Sequence, residues 1–221
     1  MRTIEEGTGA RTRRNKDETR RRIFEAAAAS FADHGFSGAT LDGIAEAAGC
    51  SKALVIRYYG TKQDLYRTVL NSRYAELSQR EAIHELSEAE NLVDLLRGIL
   101  SDLFSFNREH PSFARLVAWE NLHGAEHLDP QAARAARGPG WSRLRGILEA
   151  AQAKGLVRAE VDVARLVYVL QALTVVYFSN RHTMKILTGF AFESPKTMNE
   201  FVDFYAEVLA RGVAAEEGRR T

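Results

Sequence analysis

The stretch GCSKALVIRYYGTK, residues 49–62, decides how the N-terminal part of this 221-residue chain folds. Gly49 permits the positive φ of a tight turn, and Ser51 can cap a helix that runs to about Tyr59. This helix of about two turns is too short to bury much, yet it carries two basic side chains and two tyrosines. We therefore expect its outer face to contact a partner.

A second short helix is predicted just before this one. Thr40 can cap a helix that continues through Ala48, and Thr61 with Asp64 forms a capping-box-like start for the helix that follows. Two short helices that meet at small residues and a glycine turn are typical of a helix-turn-helix. An α-helix about 10–12 Å across fits the DNA major groove, which is about 12 Å wide. The stretch at 49–62 is therefore predicted to face DNA.

The preceding residues are predicted to add an amphipathic first helix. From Asp17 to His34 the apolar side chains form one stripe, and Gly35 follows where the helix would stop with a left-handed residue. Residues 1–73 carry a net charge of +4, whereas residues 74–221 carry −3. This asymmetry favours a polyanionic partner for the N-terminal part.

A basic run lies ahead of the first helix and includes Arg13 and Arg14. Such a run is either a solvated tail or an arm that follows phosphates or enters a minor groove. Because it is attached directly to a predicted DNA-binding unit, we favour the arm.

Residues 21–66, RRIFEAAAASFADHGFSGATLDGIAEAAGCSKALVIRYYGTKQDLY, resemble the N-terminal domain of the TetR family of transcriptional regulators. The resemblance rests on spaced features: HGF at the end of the first helix, AT before the second, then IAEAAG, CSKALVIRYY and TKQDL. It implies a homodimer, an operator built as an inverted repeat, and a helical C-terminal domain that often binds a small molecule and loosens the grip on DNA. The expected function is a DNA-binding regulator, most simply a repressor released by a small apolar ligand.

The predicted contacts to DNA depend on position along the helix capped by Ser51. Its N-terminal residues would face base edges, and residues one turn later would reach bases or phosphates. Lys62, at the start of the following helix, would bind a phosphate together with backbone amides. The predicted DNA-binding residues are Thr40, Lys52, Ala53, Leu54, Arg57, Tyr58 and Lys62, with Arg13 and Arg14 in the arm. Thr40, Lys52, Tyr58 and Lys62 are the ones that the resemblance carries over.

The chain departs from the family pattern at three places near these contacts. Ala53 stands where many members have Gly, and Ile56 stands where they commonly have a phosphate-contacting Tyr. Asp42 and Gly43 occupy positions where a basic-then-acidic pair is frequent. These departures affect the set of contacts, and Arg57 is interpreted as a variable position of this protein's own specificity.

The rest of the chain is predicted to be all helical. All four prolines fall where the helical pattern is interrupted, and no strict alternation indicates a strand. We expect an arm and helix-turn-helix domain at 1–64 and a helical ligand-binding and dimerisation domain at 65–221. The helices around 161–180 and 195–213 have apolar stripes wider than one neighbour covers, which favours a dimer interface over central helices of the body.

Composition excludes several other classes of protein. The most apolar stretch, at 161–180, is broken by Asp162, Arg165 and Gln171, so no membrane span is predicted. The N-terminus has no apolar stretch of the kind that a secretion signal needs, and a single cysteine, Cys50, allows no intrachain disulfide. A cytoplasmic location is the simplest expectation.

One motif supports an alternative function. The sequence HGAEH, from His123 through Glu126 to His127, matches the H-x-x-E-H pattern of a class of zinc peptidases. An enzyme or metalloprotein with an accessory helical domain is therefore the alternative to a regulator. Gly124 and the Asp129–Pro130 pair favour a helix end here instead, where the two imidazoles need not share a face.

The neighbouring segment HPSFARLVAWENLHG suits either a pocket or a core. Its mixture of apolar and polar groups gives Trp119, Asn121 and His123 as candidate ligand-binding residues. We expect an apolar effector near these residues, the helix that begins at Lys62 and the helix over Leu92–Phe106. No cofactor is predicted. Catalysis has little other support, since no Gly-rich phosphate loop follows a strand and no nucleophile elbow is present.

Overall fold

The computed structural model describes residues 5–80 and 89–215, and these residues form nine helices. The helices are α1 (Glu5–Gly38), α2 (Leu41–Ala47), α3 (Lys52–Tyr59), α4 (Lys62–Ser78), α5 (Leu92–Glu109), α6 (Phe113–Leu122), α7 (Pro130–Ala153), α8 (Val163–Thr188) and α9 (Pro195–Val213). Within this part of the chain, β-structure is limited to one isolated bridge between Val157 and Ala214. The predicted all-α fold is confirmed.

Contacts divide the chain into two compact units. Unit 1 runs through Arg73 and includes Arg115–Pro130, whereas unit 2 comprises Tyr74–Ala114 and the chain from Gln131 onward. Unit 1 thus extends past the expected domain boundary at residue 64. It also takes in a segment from the middle of the chain.

Unit 1 is built around one apolar core that fixes α1 to α4. Phe31 and Tyr66 meet edge-to-face with ring centroids 4.8 Å apart, and Ile44, Val55 and Leu65 are fully buried beside them. Complete burial of side chains of this size contributes about 1.5–3 kcal/mol each. This core therefore holds the two short helices, which could not form stably alone.

The helical backbone of α1 is interrupted at Gly35, where φ is 66° and ψ is −179°. The predicted positive φ at this glycine is confirmed. The helix begins at Glu5, earlier than the predicted Asp17. Within the predicted range, Arg21 donates to Glu18 one turn earlier at 2.7 and 3.2 Å.

Unit 2 packs α5 against α8 and α9. Leu96, Ile99 and Leu100 of α5 are fully buried, and Phe104 lies 4.9 Å from the ring centre of Tyr177 on α8. The predicted stripe at 92–104 is therefore the core face of α5. Its amphipathic spacing produces this packing.

The expectation that every proline marks an interruption is wrong for Pro139, which lies inside α7. The helix lacks the one backbone hydrogen bond that Pro139 cannot donate, and it continues on both sides of this residue. The next residue packs closely, since a Cβ placed on Gly140 would lie 2.6 Å from the Ser78 Cα. The other prolines follow α5 or begin α7 and α9.

By length and composition alone, α8 could cross a membrane, with a window of mean hydropathy 1.3. Seven of its residues are buried in the core of unit 2, including Leu166, Val167 and Leu170. Core helices pass the same test of length and hydropathy. One face of α8 therefore belongs to the core of unit 2.

Candidate nucleic-acid interface

The turn between α2 and α3 is fixed by two side-chain caps and one glycine. Thr40 Oγ1 accepts a hydrogen bond from Gly43 N at 3.1 Å, and Ser51 Oγ accepts one from Leu54 N at 3.3 Å. Gly49 has a φ of 61° between them. These caps satisfy amide groups that would otherwise be unpaired at the two helix starts. Both predicted caps are present, and they orient α3 relative to α2.

The two faces of α3 differ sharply. Val55 is fully buried in the core of unit 1, whereas Lys52, Ala53, Ile56 and Arg57 are exposed. An open face of this kind can enter a groove. Ile56, a departure from the family pattern, lies on this face with 46% of its surface exposed.

The remaining predicted residues of α3 are partly buried. Leu54 and Tyr58 both have intermediate exposure, and Tyr58 packs against the core of unit 1. The structure therefore brings Lys52, Ala53 and Arg57 together on one open surface. It places Leu54 and Tyr58 at the edge of that surface.

Lys52 does not project freely, because its Nζ lies 2.9 Å from Asp42 Oδ2 in the first turn of α2. Both side chains remain open to solvent, with 49% of Lys52 and 72% of Asp42 exposed. The sequence marked Asp42 as a departure from the family pattern, but the pairing depends on how α2 and α3 meet.

The start of α4 supplies the other predicted cationic contact. Lys62 is the first residue of α4, and its Nζ donates to Ser37 O at 3.3 Å while lying 4.7 Å from the centre of the Phe36 ring. Asp64 accepts hydrogen bonds from Thr61 Oγ1 at 2.7 Å and Thr61 N at 2.9 Å, and these bonds lower the pKa of its carboxyl group. The predicted capping box is confirmed.

The side chains of Arg13 and Arg14 lie outside the described part of the chain, so the predicted arm stays a prediction. Two later arginines of α1 lie beside the helix-turn-helix. The Arg20 guanidinium carbon lies 5.5 Å from the ring centre of Tyr59, whose hydroxyl donates to Arg20 O at 2.9 Å. Arg22 reaches the turn, since a Cβ placed on Gly49 would lie 3.4 Å from Arg22 Nη1.

The three candidate ligand residues lie in unit 1 with local partners. Trp119 Nε1 donates to Ala32 O at 3.1 Å, and the indole packs on Gly35 of α1. Asn121 is exposed and donates to Val117 O at 2.8 Å, and His123 is exposed with its Nδ1 2.9 Å from Trp119 O. The contacts of Trp119 show that its indole packs against α1. A ligand-binding role for the three residues stays a prediction.

The residues of the HGAEH motif do not share a helix face. The helix α6 ends at Leu122, and the motif follows as a series of turns in which Ala125 has a φ of 60°. His123 is exposed, whereas His127 is buried. Across residues 5–80 and 89–215, no three His, Cys, Asp or Glu side chains cluster as a metal site would require.

His127 instead joins the core of unit 1. Its ring lies 4.1 Å from that of Phe36 and 5.1 Å from that of Tyr66, and its Nδ1 is 3.2 Å from the buried Glu120 carboxylate. Arg67 Nε also donates to His127 O at 3.2 Å. Sequence spacing could not predict this packing, because Phe36 and Tyr66 are distant in sequence from His127.

The two capped short helices, the open face of α3 and the separate helical body define a helix-turn-helix transcriptional regulator. The family described as bacterial regulatory proteins of the tetR family matches residues 23–69, and a tetracyclin repressor-like C-terminal domain matches residues 93–209. The chain belongs to the TetR family of DNA-binding transcriptional regulators.

Curated relatives match along nearly the whole chain. The HTH-type transcriptional repressor NicS of Pseudomonas putida is 31% identical over 207 residues, which cover 93% of this chain and 97% of NicS. The HTH-type transcriptional regulator RutR of Escherichia coli is 26% identical, covering 93% of this chain and 95% of RutR. These relatives do not support the alternative function as an enzyme.

Solved structures show the same fold at lower identity. The fatty acid degradation regulator FadR of Bacillus halodurans has a TM-score of 0.67 at 17% identity, covering 86% of this chain and 94% of FadR. A transcriptional regulator of Streptomyces coelicolor, SCO4942, has a TM-score of 0.65 at 24% identity, covering 86% and 97%. The likeness at this identity concerns the fold alone.

Proposed function

We propose that the protein is a homodimeric repressor that binds an inverted-repeat operator through α3 of each subunit. The observation that carries the proposal is the capped α2–α3 unit, with Val55 buried and Lys52, Ala53 and Arg57 open on the opposite face. Two such helices related by a two-fold axis would enter successive major grooves about 34–36 Å apart. The relative NicS is a transcriptional repressor, which supports the direction of regulation.

Contacts at the ends of the helices would set the register on DNA. Lys62, at the positive end of α4, would bind a phosphate together with the backbone amides of that helix start. Thr40 could donate its hydroxyl proton to a second phosphate, because its oxygen is the acceptor in the cap to Gly43. These contacts would hold α3 in place without reading sequence.

Dimerisation is proposed to use α8 and α9. Their exposed apolar side chains within the predicted ranges are Tyr168, Val169, Val176, Phe204 and Val208. Isolated apolar residues are ordinary on a protein surface, but these five lie within the two ranges whose apolar stripes the sequence indicates as wide. A second copy of the same surface would cover them in an isologous interface.

Release of the operator is proposed to follow binding of a small apolar ligand by the helical body. Membership in the family supports this proposal, because the resemblance implies a C-terminal domain that often binds a small molecule. A ligand can act only through its difference in affinity between two forms of the dimer. Changing the ratio of the two forms from 1:99 to 99:1 requires that the ligand bind one form about 10⁴-fold more tightly than the other.

The test of the proposed function is selection of binding sites from random double-stranded DNA with the wild-type protein. We expect an enriched inverted repeat, to which Arg57→Ala binds with a loss on the order of 1–3 kcal/mol and relaxed preference at one position. Glu46→Ala, an exposed change on α2 that alters charge in the opposite direction, should leave the preference at every position unchanged. Selection without any enriched sequence would contradict the proposal.

A further inference from the structure

The Asp42–Lys52 pair joins the first turns of α2 and α3 on the open side of unit 1. Asp42 is the second residue of α2, and Lys52 is the first residue of α3. The 2.9 Å distance between Lys52 Nζ and Asp42 Oδ2 places a strong donor and a strong acceptor side by side. Both remain substantially exposed.

Stability does not explain this pair. Ion pairs between exposed side chains contribute a median of about 0–1 kcal/mol, and salt weakens them further. An acidic side chain near DNA also carries a cost, because phosphates repel it. The pair nevertheless presents an exposed donor and an exposed acceptor side by side, where a partner can contact both.

We propose that Asp42 is a specificity-determining residue and that, with Lys52, it reads one G·C base pair in each half-site. This inference rests on the proposed function as an operator-binding dimer. Lys52 would donate to guanine O6 and N7, and the Asp42 carboxylate would accept a hydrogen bond from the amino group of the paired cytosine.

The order of groups on the base-pair edge supports this assignment. In the major groove a G·C pair presents two acceptors on guanine and then the amino donor on cytosine. An A·T pair presents an acceptor, a donor, an acceptor and the thymine methyl group. The ammonium of Lys52 has three donors, of which Asp42 takes one, so two remain for adjacent acceptors. A lysine followed by a carboxylate therefore complements G·C better than A·T.

The same pairing would lower binding to unrelated DNA. Asp42 offsets the charge of Lys52, so Lys52 contributes less to the sequence-independent attraction that phosphates exert. Removing the carboxylate should free the ammonium for a phosphate. Asp42 would then act twice in specificity, by favouring one base pair and by weakening the competing non-specific complexes.

The experiment compares wild type, Asp42→Ala and Asp42→Asn on a panel of selected operators in which each half-site position carries every base pair in turn. In Asp42→Ala we expect discrimination at one G·C position to fall about tenfold. Affinity for random duplex DNA should rise. The slope of the logarithm of the binding constant against the logarithm of salt concentration should become more negative by about one for each chain. Asp42→Asn should shift preference at that position toward A·T, because an amide pairs with adenine.

Glu46→Ala is the matched control, since it removes one negative charge from the same helix and Glu46 is exposed. It should leave preference at every position unchanged. Unchanged discrimination and salt dependence in Asp42→Ala would overturn the inference while the proposed function stands. If wild type itself prefers no sequence, the proposed function fails first.

Discussion

At the scale of single residues, Gly35 links the backbone of α1 to the segment that carries Trp119. Its φ of 66° suits glycine, and a Cβ there would lie 3.0 Å from Trp119 Cδ2. Gly35→Ala should therefore destabilise unit 1 by about 1–3 kcal/mol. The measurement is urea unfolding followed by Trp119 fluorescence in a Trp141→Phe background, which removes the second of the chain's two tryptophans.

Gly124 provides a control for this prediction. It also has a positive φ, of 64°, but a Cβ there would meet nothing within 4 Å. Gly124→Ala should lower the free energy of unfolding by less than Gly35→Ala does, because it strains only the backbone. Equal losses in the two variants would show that contact with the indole contributes nothing.

Lys62 is predicted to bind a phosphate, and Lys62→Met tests the charge separately from the packing. Methionine keeps an apolar stem near Phe36, over which the Lys62 ammonium lies at 4.7 Å. The variant should bind all sequences more weakly. The slope of the logarithm of the binding constant against the logarithm of salt concentration should become shallower by about one for each chain. Binding titrations at several salt concentrations measure both effects. A loss confined to one base-pair position would instead indicate that Lys62 reads sequence.

At the scale of helices, Tyr177 ties α8 to the chain that follows it. Its hydroxyl donates to Phe192 O at 2.9 Å, and burial raises the pKa of Tyr177 to about 12. Tyr177→Phe should reduce stability at neutral pH by about 1 kcal/mol through loss of this hydrogen bond.

The raised pKa also gives the pH dependence a definite sign. The unfolded chain ionises near the ordinary tyrosine pKa of 10.0, whereas the folded chain resists ionisation until about pH 12. The contribution of Tyr177 is therefore complete below pH 10 and is lost as the pH rises toward 12. Because two pKa units correspond to about 2.7 kcal/mol, the stability advantage of wild type over Tyr177→Phe should vanish within this window and reverse by its upper end. A constant difference across it would show that the hydroxyl ionises equally in both states.

Features predicted from the sequence in these helices depend on near neighbours. Thr40, Ser51 and Thr61 each cap a helix by accepting a hydrogen bond from the backbone amide three residues later, so spacing alone indicates them. The positive φ of Gly35 was predicted for the same reason, because a glycine at the end of an apolar stripe marks a helix end.

Contacts between residues far apart in sequence could not be predicted from spacing. Trp119 donates to a carbonyl 87 residues away, and the Asp42–Lys52 pair requires the packed angle between two helices. The HGAEH motif gave no sign that His127 would be buried against Phe36. The close approach of Gly140 on α7 to Ser78 likewise joins residues that are far apart in sequence.

At the scale of the whole molecule, the exposed apolar stretch of α8 should be covered by a second chain. Val176 is 53% exposed, so Val176→Glu should leave each chain folded but place a charge in the proposed interface. Sedimentation should show a monomer for this variant, with operator affinity lost in parallel. Val176→Ala, which removes volume without adding charge, should remain dimeric. A dimeric Val176→Glu would place the interface elsewhere.

The central claim is that two identical reading helices bind one operator together, and changing the spacing between its half-sites tests this most directly. Binding titrations would compare the selected operator with a version carrying five added base pairs between the half-sites. Because about 10–10.5 base pairs make one turn, this insertion moves the half-sites to opposite faces of the duplex. We predict that affinity falls to the non-specific level. Undiminished affinity for the altered operator would contradict the account.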